Sequence, residues 1–348
     1  MTRSSSSRGG GGAAPEAQAE ILRRQAAHFT LLGSPVYGRL AGRLAEDPRP
    51  ARAILGDDAS WDLGLRLFGA VHHHVLTGTA PQALSGEWGD FASALAEHAG
   101  SLRRFVREQG VQTNETQRCV ALLPAFLTAA RATGLPLDLI ELGPSAGLNL
   151  VFDCYRYRYA EGVSGDPAAR LAFDVSERGR VPGDLLATPL EVVRRRGIDL
   201  APLDVTANDD VLLLHSFLWP GLTERPERLD AAVATFREAP HRPELIRGDY
   251  VDVLPKLLAE RGSDVLTVVF QTASTGYLAQ ERYDLLRSSL DDAGGDGRPL
   301  AWVSSRRREE RETHDDDRWE LELRVWPEPA RLLAFVDFHG NWIDWVDG

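Results

Sequence analysis

Lysine and cysteine are scarce in this chain of 348 residues, and each scarcity argues against a class of protein. Lys256 is the only lysine, and no G-x-x-x-x-G-K-[ST] loop is present, which argues against a P-loop kinase or ATPase. The two cysteines, Cys119 and Cys154, form no C-x-x-C pair, so a zinc ribbon or a thioredoxin-type site is not expected. We expect both to be small buried residues.

Long apolar runs are also missing. No uninterrupted apolar run of about 18 residues occurs, which argues against a transmembrane helix. Residues 1–18 lack the apolar centre of a signal peptide, and their Ser and Gly content is typical of a flexible tail. The net charge of −12 offers no broad basic surface for nucleic acid. We therefore expect a cytoplasmic protein that binds neither a membrane nor nucleic acid.

The pattern of apolar residues changes near residue 134. Over 19–134 they recur at spacings of three and four, with Gly or Pro at most junctions, which predicts a helical cap domain. Over 135–348 compact apolar runs alternate with helical stretches, which predicts an α/β domain with a parallel sheet covered on both faces. Two strand-like runs within 318–338, joined by a Pro-containing turn, predict a terminal antiparallel hairpin. The expected parallel strands lie in 137–142, 243–249, 264–271 and 298–305.

The segment "IELGPSAGLNL" (140–150) follows the first of these strands and has two interpretations. Gly143, Ser145 and Gly147 fit G-x-S-x-G, the turn that presents a nucleophilic serine in α/β-hydrolases. With Glu141 in front, the same residues fit a glycine-rich turn that closes over a nucleotide-like cofactor. We favour the cofactor loop, because the upstream region is helical and holds no H-G-G-G-type oxyanion segment.

The acidic residues beyond this loop resemble the pattern of class I S-adenosylmethionine-dependent methyltransferases. The resemblance implies that Asp199, in "GIDLAP", binds the ribose hydroxyls and that Asp249, in "RGDYVDVLP", lies near the adenine. Gln271 and Thr272, after "VVF", would line the floor of the pocket. A carboxylate suits the ribose because it accepts hydrogen bonds from two hydroxyls. The implied cofactor is S-adenosylmethionine, held also by Glu141, Gly143, Ser145 and Gly147.

Each of these acids also has a purely structural interpretation. Asp249 is suited to cap a helix, and Asp199 is suited to a turn. The step from Glu141 to Asp199 is 58 residues, against the usual spacing of about 20. Either residues 155–180 are an insertion, or Asp174 in "LAFDV" is the acid that binds the ribose. We prefer the insertion, because "GIDLAP" carries the pattern of a strand end.

Several stretches together resemble an actinobacterial family catalogued as domain of unknown function 2332. The resemblance spans most of the chain and implies a Rossmann-like, methyltransferase-type α/β fold with an N-terminal helical cap. It extends to the proteins of aziridine ring closure in azinomycin-type biosynthesis, where an amine displaces a sulfate and no S-adenosylmethionine is needed. The stretches are "QTNETQRCVALLPAF" (112–126), "ELGPSAGLNLVFDCYRYRY" (141–159), "GIDLAPLDV" (197–205), "LWP" (218–220), "RGDYVDVLP" (247–255) and "HGNWIDW" (339–345).

Residues 112–118 offer the first candidates for a site. Asn114 is expected to cap the helix that follows, with Glu115 in its first turn, where the helix dipole favours a carboxylate. In the functional alternative Gln112, Asn114 and Glu115 form the roof of the substrate pocket. Arg118, one turn further on, would hold an anion. Glu115 is thus a candidate acid/base group.

Further candidates follow the glycine loop. Asn149 and Asp153 are four apart, which predicts that they share one face of a helix, with Asn149 at the substrate and Asp153 as an acid/base group. Tyr155 begins a Tyr/Arg alternation that predicts a strand with the two residue types on opposite faces, and it is a candidate substrate contact. His339, before a glycine at a strand end, is a candidate base. No metal site is expected, because adjacent histidines in 71–75 diverge by about 100° each on a helix.

Three functions therefore remain open. The first is a small-molecule transferase of secondary metabolism that uses S-adenosylmethionine. The second is an enzyme without a cofactor that closes a ring or displaces a leaving group. The third is a non-catalytic binding protein with a degenerate pocket. The expected partner is a small-molecule substrate, free or presented on a carrier protein.

Overall fold

The computed structural model describes residues 13–221, 224–307 and 318–347. The chain divides into two compact units, one formed by Met1–Thr113 and Ala207–Glu227 and the other by Asn114–Thr206 and Arg228–Gly348, as far as these ranges are described. Of the predicted tail, residues 1–12 lie outside the described residues, and residues 13–18 belong to the first helix. No described helix is both long enough and apolar enough to cross a membrane.

The helices have the following bounds. They are α1 (Ala13–Leu31), α2 (Pro35–Glu46), α3 (Arg49–Leu55), α4 (Leu63–Leu76), α5 (Trp88–Glu97), α6 (Ala99–Glu108), α7 (Cys119–Thr133), α8 (Gly183–Leu186), α9 (Asn208–Ser216), α10 (Glu224–Glu238), α11 (Tyr250–Ala259) and α12 (Gln280–Gly294). Short 3₁₀ segments cover Thr116–Arg118, Leu148–Cys154 and Ser274–Tyr277.

The first unit is helical in its described part, as predicted from the three-and-four spacing. Helices α1–α6 bury one apolar core around Leu22, Phe29 and Phe68, and α9 contacts α4. The rings of Phe29 and Phe68 meet edge to face at 5.5 Å, the geometry that aromatic pairs prefer. Helix α7 belongs to the second unit, although its sequence was predicted to end the cap domain, because its apolar residues cover the sheet.

The strands have the following bounds. They are β1 (Leu137–Leu142), β2 (Arg156–Tyr159), β3 (Gly162–Ser164), β4 (Ala172–Asp174), β5 (Glu177–Gly179), β6 (Val192–Asp199), β7 (Glu244–Arg247), β8 (Leu266–Gln271), β9 (Leu300–Arg307), β10 (Arg318–Val325), β11 (Arg331–Asp337) and β12 (Ile343–Trp345).

A nine-stranded sheet in the order β5-β12-β11-β10-β9-β8-β1-β6-β7 forms the second unit. Strand β1 pairs in parallel with β6 on one side and with β8 on the other, so the direction of winding reverses between β1 and β8. The predicted parallel strands are therefore confirmed in a mixed α/β sheet that is mostly parallel. The predicted hairpin is present as β10 and β11, and β12 extends it into an antiparallel meander.

Both faces of the parallel strands are covered. Val269 packs with Leu254 and Leu286, from α11 and α12. The next residue, Phe270, points to the opposite face, as strand alternation requires, and its ring lies 5.1 Å from that of Phe126 in α7. These layers hold the carboxyl ends of the parallel strands at one edge, where the predicted site residues lie.

The insertion predicted over 155–180 folds as a separate small sheet of order β3-β2-β4. The tyrosines of β2 are buried and Arg158 is exposed, which confirms the predicted alternation. Its last strand, β5, leaves this sheet and pairs with β12 at the edge of the large one. The insertion therefore borders the large sheet at the edge opposite to β7.

Candidate functional site

The glycine loop connects β1 to the 3₁₀ segment Leu148–Cys154. Gly143, Ser145 and Gly147 all have positive φ, at 71°, 55° and 75°. Ser145 is the one non-glycine residue in the described part of the chain with this conformation, which costs an L-residue roughly 1–3 kcal/mol. A strained residue of this kind persists only where the surrounding contacts hold it.

The backbone N–H groups of this loop are bound within the chain. Gly143 donates to the Ile198 carbonyl at 2.9 Å, and Gly147 donates to that of Pro144 at 2.9 Å. Ser145 donates to Oδ2 of Asp199 at 2.9 Å. These donors hold the loop against β6, which explains how the strained Ser145 conformation is maintained.

Asp199 ends β6, the strand beside β1, as the preferred interpretation of the 58-residue gap requires. Its Oδ1 accepts a hydrogen bond from the Ala201 amide at 2.9 Å, and its Oδ2 accepts the one from Ser145. Asp174, the alternative acid, ends β4 in the small sheet and pairs with Arg158. Asp199 thus acts as a turn residue that braces the glycine loop.

Asp249 caps α11, as its structural interpretation predicted. Its Oδ1 accepts a hydrogen bond from the Val251 amide at 2.9 Å, and its Oδ2 lies 2.7 Å from Nη2 of Arg282. Both oxygens of this carboxylate are therefore engaged with protein groups.

The segment Ser274–Tyr277, called here the covering segment, lies over Gly143. A Cβ atom built on Gly143 would come within 2.6 Å of the Ser274 Cβ. Ser274 donates to the Leu142 carbonyl at 2.6 Å and accepts, through its own carbonyl, the Tyr250 hydroxyl at 3.1 Å. Protein therefore occupies the space beside Gly143 where the resemblance would place S-adenosylmethionine. In this arrangement the residues do not fit that cofactor.

Gln271 and Thr272, at the end of β8, bind other protein groups and do not line an open pocket. Gln271 is buried and donates to the Ser305 carbonyl at 3.2 Å. Thr272 accepts a hydrogen bond from Nη1 of Arg118 at 3.2 Å. Arg118, Thr272 and Ser305 line a small cavity with room for about one water molecule. The predicted pocket floor is thus a closed, braced surface.

Glu141 belongs to a buried polar network beneath the glycine loop. Asn149 donates to its Oε1 at 3.2 Å, and the Cys119 thiol donates to Oδ1 of Asn149 at 3.3 Å. Burial raises the pKa of Glu141 to about 8, which the hydrogen bond from Asn149 only partly offsets. Burial likewise raises the pKa of Cys119 well above its usual value. Glu141 is therefore mainly protonated at neutral pH.

The prediction that Asn149 and Asp153 share a helix face is wrong. Residues 148–154 form a kinked 3₁₀ segment, in which residues three apart, rather than four, share a face. Asn149 points inward to Glu141, whereas Asp153 forms a bidentate ion pair with Arg195, with Nη2 to Oδ2 at 2.7 Å. Tyr155, the predicted substrate contact, is fully buried, and its hydroxyl donates to the Leu148 carbonyl.

Glu115, rather than Asn114, caps the helix at 116. Oε1 of Glu115 accepts the Gln117 amide at 3.2 Å. Asn114 instead accepts the Leu148 amide at 3.0 Å, which ties it to the end of the glycine loop. The expected cap was wrong by one residue because the helix begins with a 3₁₀ turn. Gln112 is buried in the first unit, and its pocket role stays a prediction.

Arg228 completes a group that we call the Glu115 cluster, formed by Glu115, Gln117 and Arg228. Nη1 of Arg228 lies 3.2 Å from Oε1 of Glu115 and also donates to Oε1 of Gln117. Its Nε and Nη2 have no protein partner among the described residues. Arg228 could not be predicted as a site residue, because nothing in the sequence of α10 signals a partner 113 residues away.

Arg118 and His339 lie where the chain leaves β11. Nε of Arg118 donates to the Phe338 carbonyl at 2.9 Å, and its guanidinium lies 4.5 Å from the centre of the Phe338 ring. The His339 side chain is buried against that ring, and its amide donates to Oδ1 of Asp337 at 2.9 Å. Arg118 therefore braces this loop, and the role of His339 as a base stays a prediction.

A comparison with protein-family profiles identifies a match. The sequence profile of a protein family described as "Uncharacterized protein conserved in bacteria (DUF2332)" matches residues 19–345. No curated protein matches the chain.

Proposed function

We propose that this chain, which belongs to the uncharacterized bacterial family DUF2332, is an enzyme without a cofactor. Its proposed reaction is a displacement on a small molecule. The proposed site is the Glu115 cluster beside the glycine loop. One observation carries the proposal. The buried Glu115 carboxylate lies 3.2 Å from Arg228, and two guanidinium nitrogens of Arg228 have no protein partner in the described part of the chain.

This pair provides the two groups that an intramolecular displacement needs. Glu115 takes a proton from a protonated amine of the substrate, which frees the nitrogen lone pair to form a bond to a neighbouring carbon. The bond from that carbon to an oxyanion leaving group breaks, and Arg228 binds the departing anion through its open N–H groups. Such a reaction depends on positioning and on charge stabilisation, since the nucleophile and the leaving group belong to one molecule.

The state of the glycine loop supports a reaction without S-adenosylmethionine. The amides of Gly143, Ser145 and Gly147 and both oxygens of Asp199 are bound within the chain, and Ser274 packs on Gly143. Each of these groups would have to exchange a protein partner for the cofactor. At the Glu115 cluster, Nε and Nη2 of Arg228 have no protein partner in the described part of the chain, so we place the chemistry there.

A small-molecule transferase that uses S-adenosylmethionine is the second candidate. The order β7-β6-β1-β8-β9, which reverses beside β1, favours it, because ligands of open α/β sheets bind outside the carboxyl ends of strands at such a reversal. The cofactor would supply an activated methyl group. Gly143, Ser145, Gly147 and Asp199 would hold it only after the covering segment has moved. The substrate in either case is proposed to be a small molecule, free or on a carrier protein.

Calorimetric titration with S-adenosylmethionine separates the two candidates. We expect no heat of binding at millimolar ligand for the wild type. Binding by the wild type that Asp199→Ala abolishes, while Asp204→Ala retains it, would contradict the first candidate and support the second. Asp204 is a matched control because it is an exposed aspartate five residues along the same loop region.

A model substrate tests the displacement itself. We expect the wild type to release sulfate from 2-aminoethyl hydrogen sulfate, measured by ion chromatography. Glu115→Gln should slow this release about 10²–10⁴-fold, the usual contribution of a positioned general base. Glu238→Gln, which alters an exposed carboxylate paired with Arg170, should leave the rate unchanged. Equal rates for wild type and Glu115→Gln, with both folded by circular dichroism, would refute the role of Glu115.

A further inference from the structure

The insertion over residues 155–180 plays no part in the proposed function, yet it shapes a surface concavity of its own. Charged side chains from β2, β4 and β5 line this concavity, and three of them are arginines in a chain whose net charge is −12. The arginines are Arg158, Arg178 and Arg180, and the acids are Asp174 and Glu177.

Both acids of the concavity are already engaged within the insertion. Asp174 forms a bidentate pair with Arg158, whose Nη2 donates to Oδ2 at 2.9 Å. Glu177 accepts the Val181 amide at 2.8 Å through one oxygen and the Ala160 amide through the other. Asp174 thus neutralises Arg158, and both oxygens of Glu177 are bound by backbone amides, so neither acid pairs with Arg178 or Arg180 among the described residues.

Arg178 and Arg180 flank Gly179, the last residue of β5, and both line the concavity. The Arg178 guanidinium lies 3.6 Å from the centre of the Trp342 ring, and Arg178 has no ion-pair partner among the described residues. The nearest carboxylate to Arg180 is that of Glu161, at 3.9 Å, and both of these side chains are exposed. Two exposed arginines therefore line one concavity, and the single carboxylate described near either of them is 3.9 Å from Arg180.

We propose that this concavity is a binding site for a phosphate or sulfate group, held between Arg178 and Arg180. A planar guanidinium presents paired N–H donors that match the oxygens of such a group. Stacking on Trp342 restrains Arg178 before the ligand arrives, which lowers the entropic cost of binding. The concavity is larger than one oxyanion, so the remainder of the ligand has room beside it. This site stands independently of the proposed function.

Titration calorimetry with inorganic phosphate at low ionic strength tests the site, with inorganic sulfate and acetate as parallel probes. We expect phosphate and sulfate to bind in the millimolar range and acetate to bind more weakly. Arg178→Gln and Arg180→Gln should each weaken phosphate binding about tenfold, equivalent to about 1.4 kcal/mol. Arg170→Gln is the matched control, an exposed arginine of the same insertion paired with Glu238, and should bind phosphate as the wild type does.

Trp342→Leu separates a positioning role from general charge. Removing the ring leaves every charge in place, so we expect about threefold weaker phosphate binding together with a steeper dependence on salt. Wild-type affinity in the Arg178→Gln/Arg180→Gln double variant would overturn the proposal, as would an equal loss in Arg170→Gln. Failure of the wild type to bind phosphate at about ten millimolar would overturn it as well.

Discussion

The glycine loop and the insertion differ in whether their polar groups are bound to other protein groups or exposed. At the loop, the Ser145 amide and the Asp199 carboxylate bind each other, and Asp249 caps a helix and pairs with Arg282. In the insertion, Arg178 and Arg180 remain exposed with little compensation. Groups bound to one another stabilise the fold, whereas open charged groups are available to a ligand. Substitutions in the two regions should therefore have opposite effects on stability and on binding.

The largest effect is expected at Glu141, in the buried network under the loop. Its folded pKa of about 8 lies above the unfolded value near 4.5, so its contribution to stability is complete below pH 4.5 and is lost as the pH rises through 8. Glu141→Gln removes this titration. We expect the variant to match the wild type at pH 5 and to exceed its free energy of unfolding by about 4 kcal/mol at pH 8.5, measured with urea. Parallel pH profiles for the two proteins would contradict this.

Gly143→Ala tests how tightly the covering segment packs on the loop. The new Cβ would lie 2.6 Å from the Ser274 Cβ, on a backbone with positive φ. We therefore expect the free energy of unfolding to fall by about 3 kcal/mol. Gly297→Ala is the matched control, because Gly297 also has positive φ but nothing within 4 Å of its Cβ position. In that control the free energy of unfolding should fall by only about 1 kcal/mol. Equal decreases in the free energy of unfolding for the two variants, measured by chemical denaturation, would show that Ser274 moves aside at no cost.

Asp199→Ala removes the acceptor of two loop amides. We expect a loss of about 2 kcal/mol in the free energy of unfolding, because the Ser145 and Ala201 amides lose a charged partner. Asp204→Ala removes an acceptor that Thr206 uses on an exposed turn, and should cost about 0.5 kcal/mol. A smaller loss at Asp199 than at Asp204 would mean that the loop does not depend on this brace.

Of these substitutions, Arg178→Gln should change the free energy of unfolding least, since it lies in the exposed region rather than at the glycine loop. Arg178 is exposed and stacks on one ring, so we expect the melting temperature to correspond to a change within about 0.5 kcal/mol. A loss as large as that of Asp199→Ala would identify Arg178 as a structural residue.

Local patterns allowed much of the fold to be predicted. Strands β1 and β8 are mostly apolar and are buried along their whole length, as inner parallel strands are, and the Tyr/Arg alternation predicted β2. The segment after the glycine loop was mispredicted, because its apolar spacing suits an α-helix while tertiary contacts of Asn149 and Tyr155 impose a 3₁₀ path.

The candidate site was predictable in its residue types but not in its pairings. Glu115, Glu141 and Asp199 could be found from motifs, and all three lie in the second unit with bound partners. Arg228 and Arg195 are joined to Glu115 and Asp153 by long-range ion pairs. A single sequence contains no signal for such pairs, because the distance between the partners is set by the finished fold.

The pairing of β5 with β12 has a consequence for synthesis on the ribosome. Strand β5 ends at Gly179, and its partner β12 begins at Ile343, close to the end of the chain. At ordinary translation speeds, β12 is synthesised on the order of ten seconds after β5. Throughout that interval the partner strand of β5 has not yet been synthesised, so this edge of the insertion is unpaired. The sheet is complete only after Ile343–Trp345 has been translated, and a chain truncated before Ile343 would keep an open edge exposed to other chains.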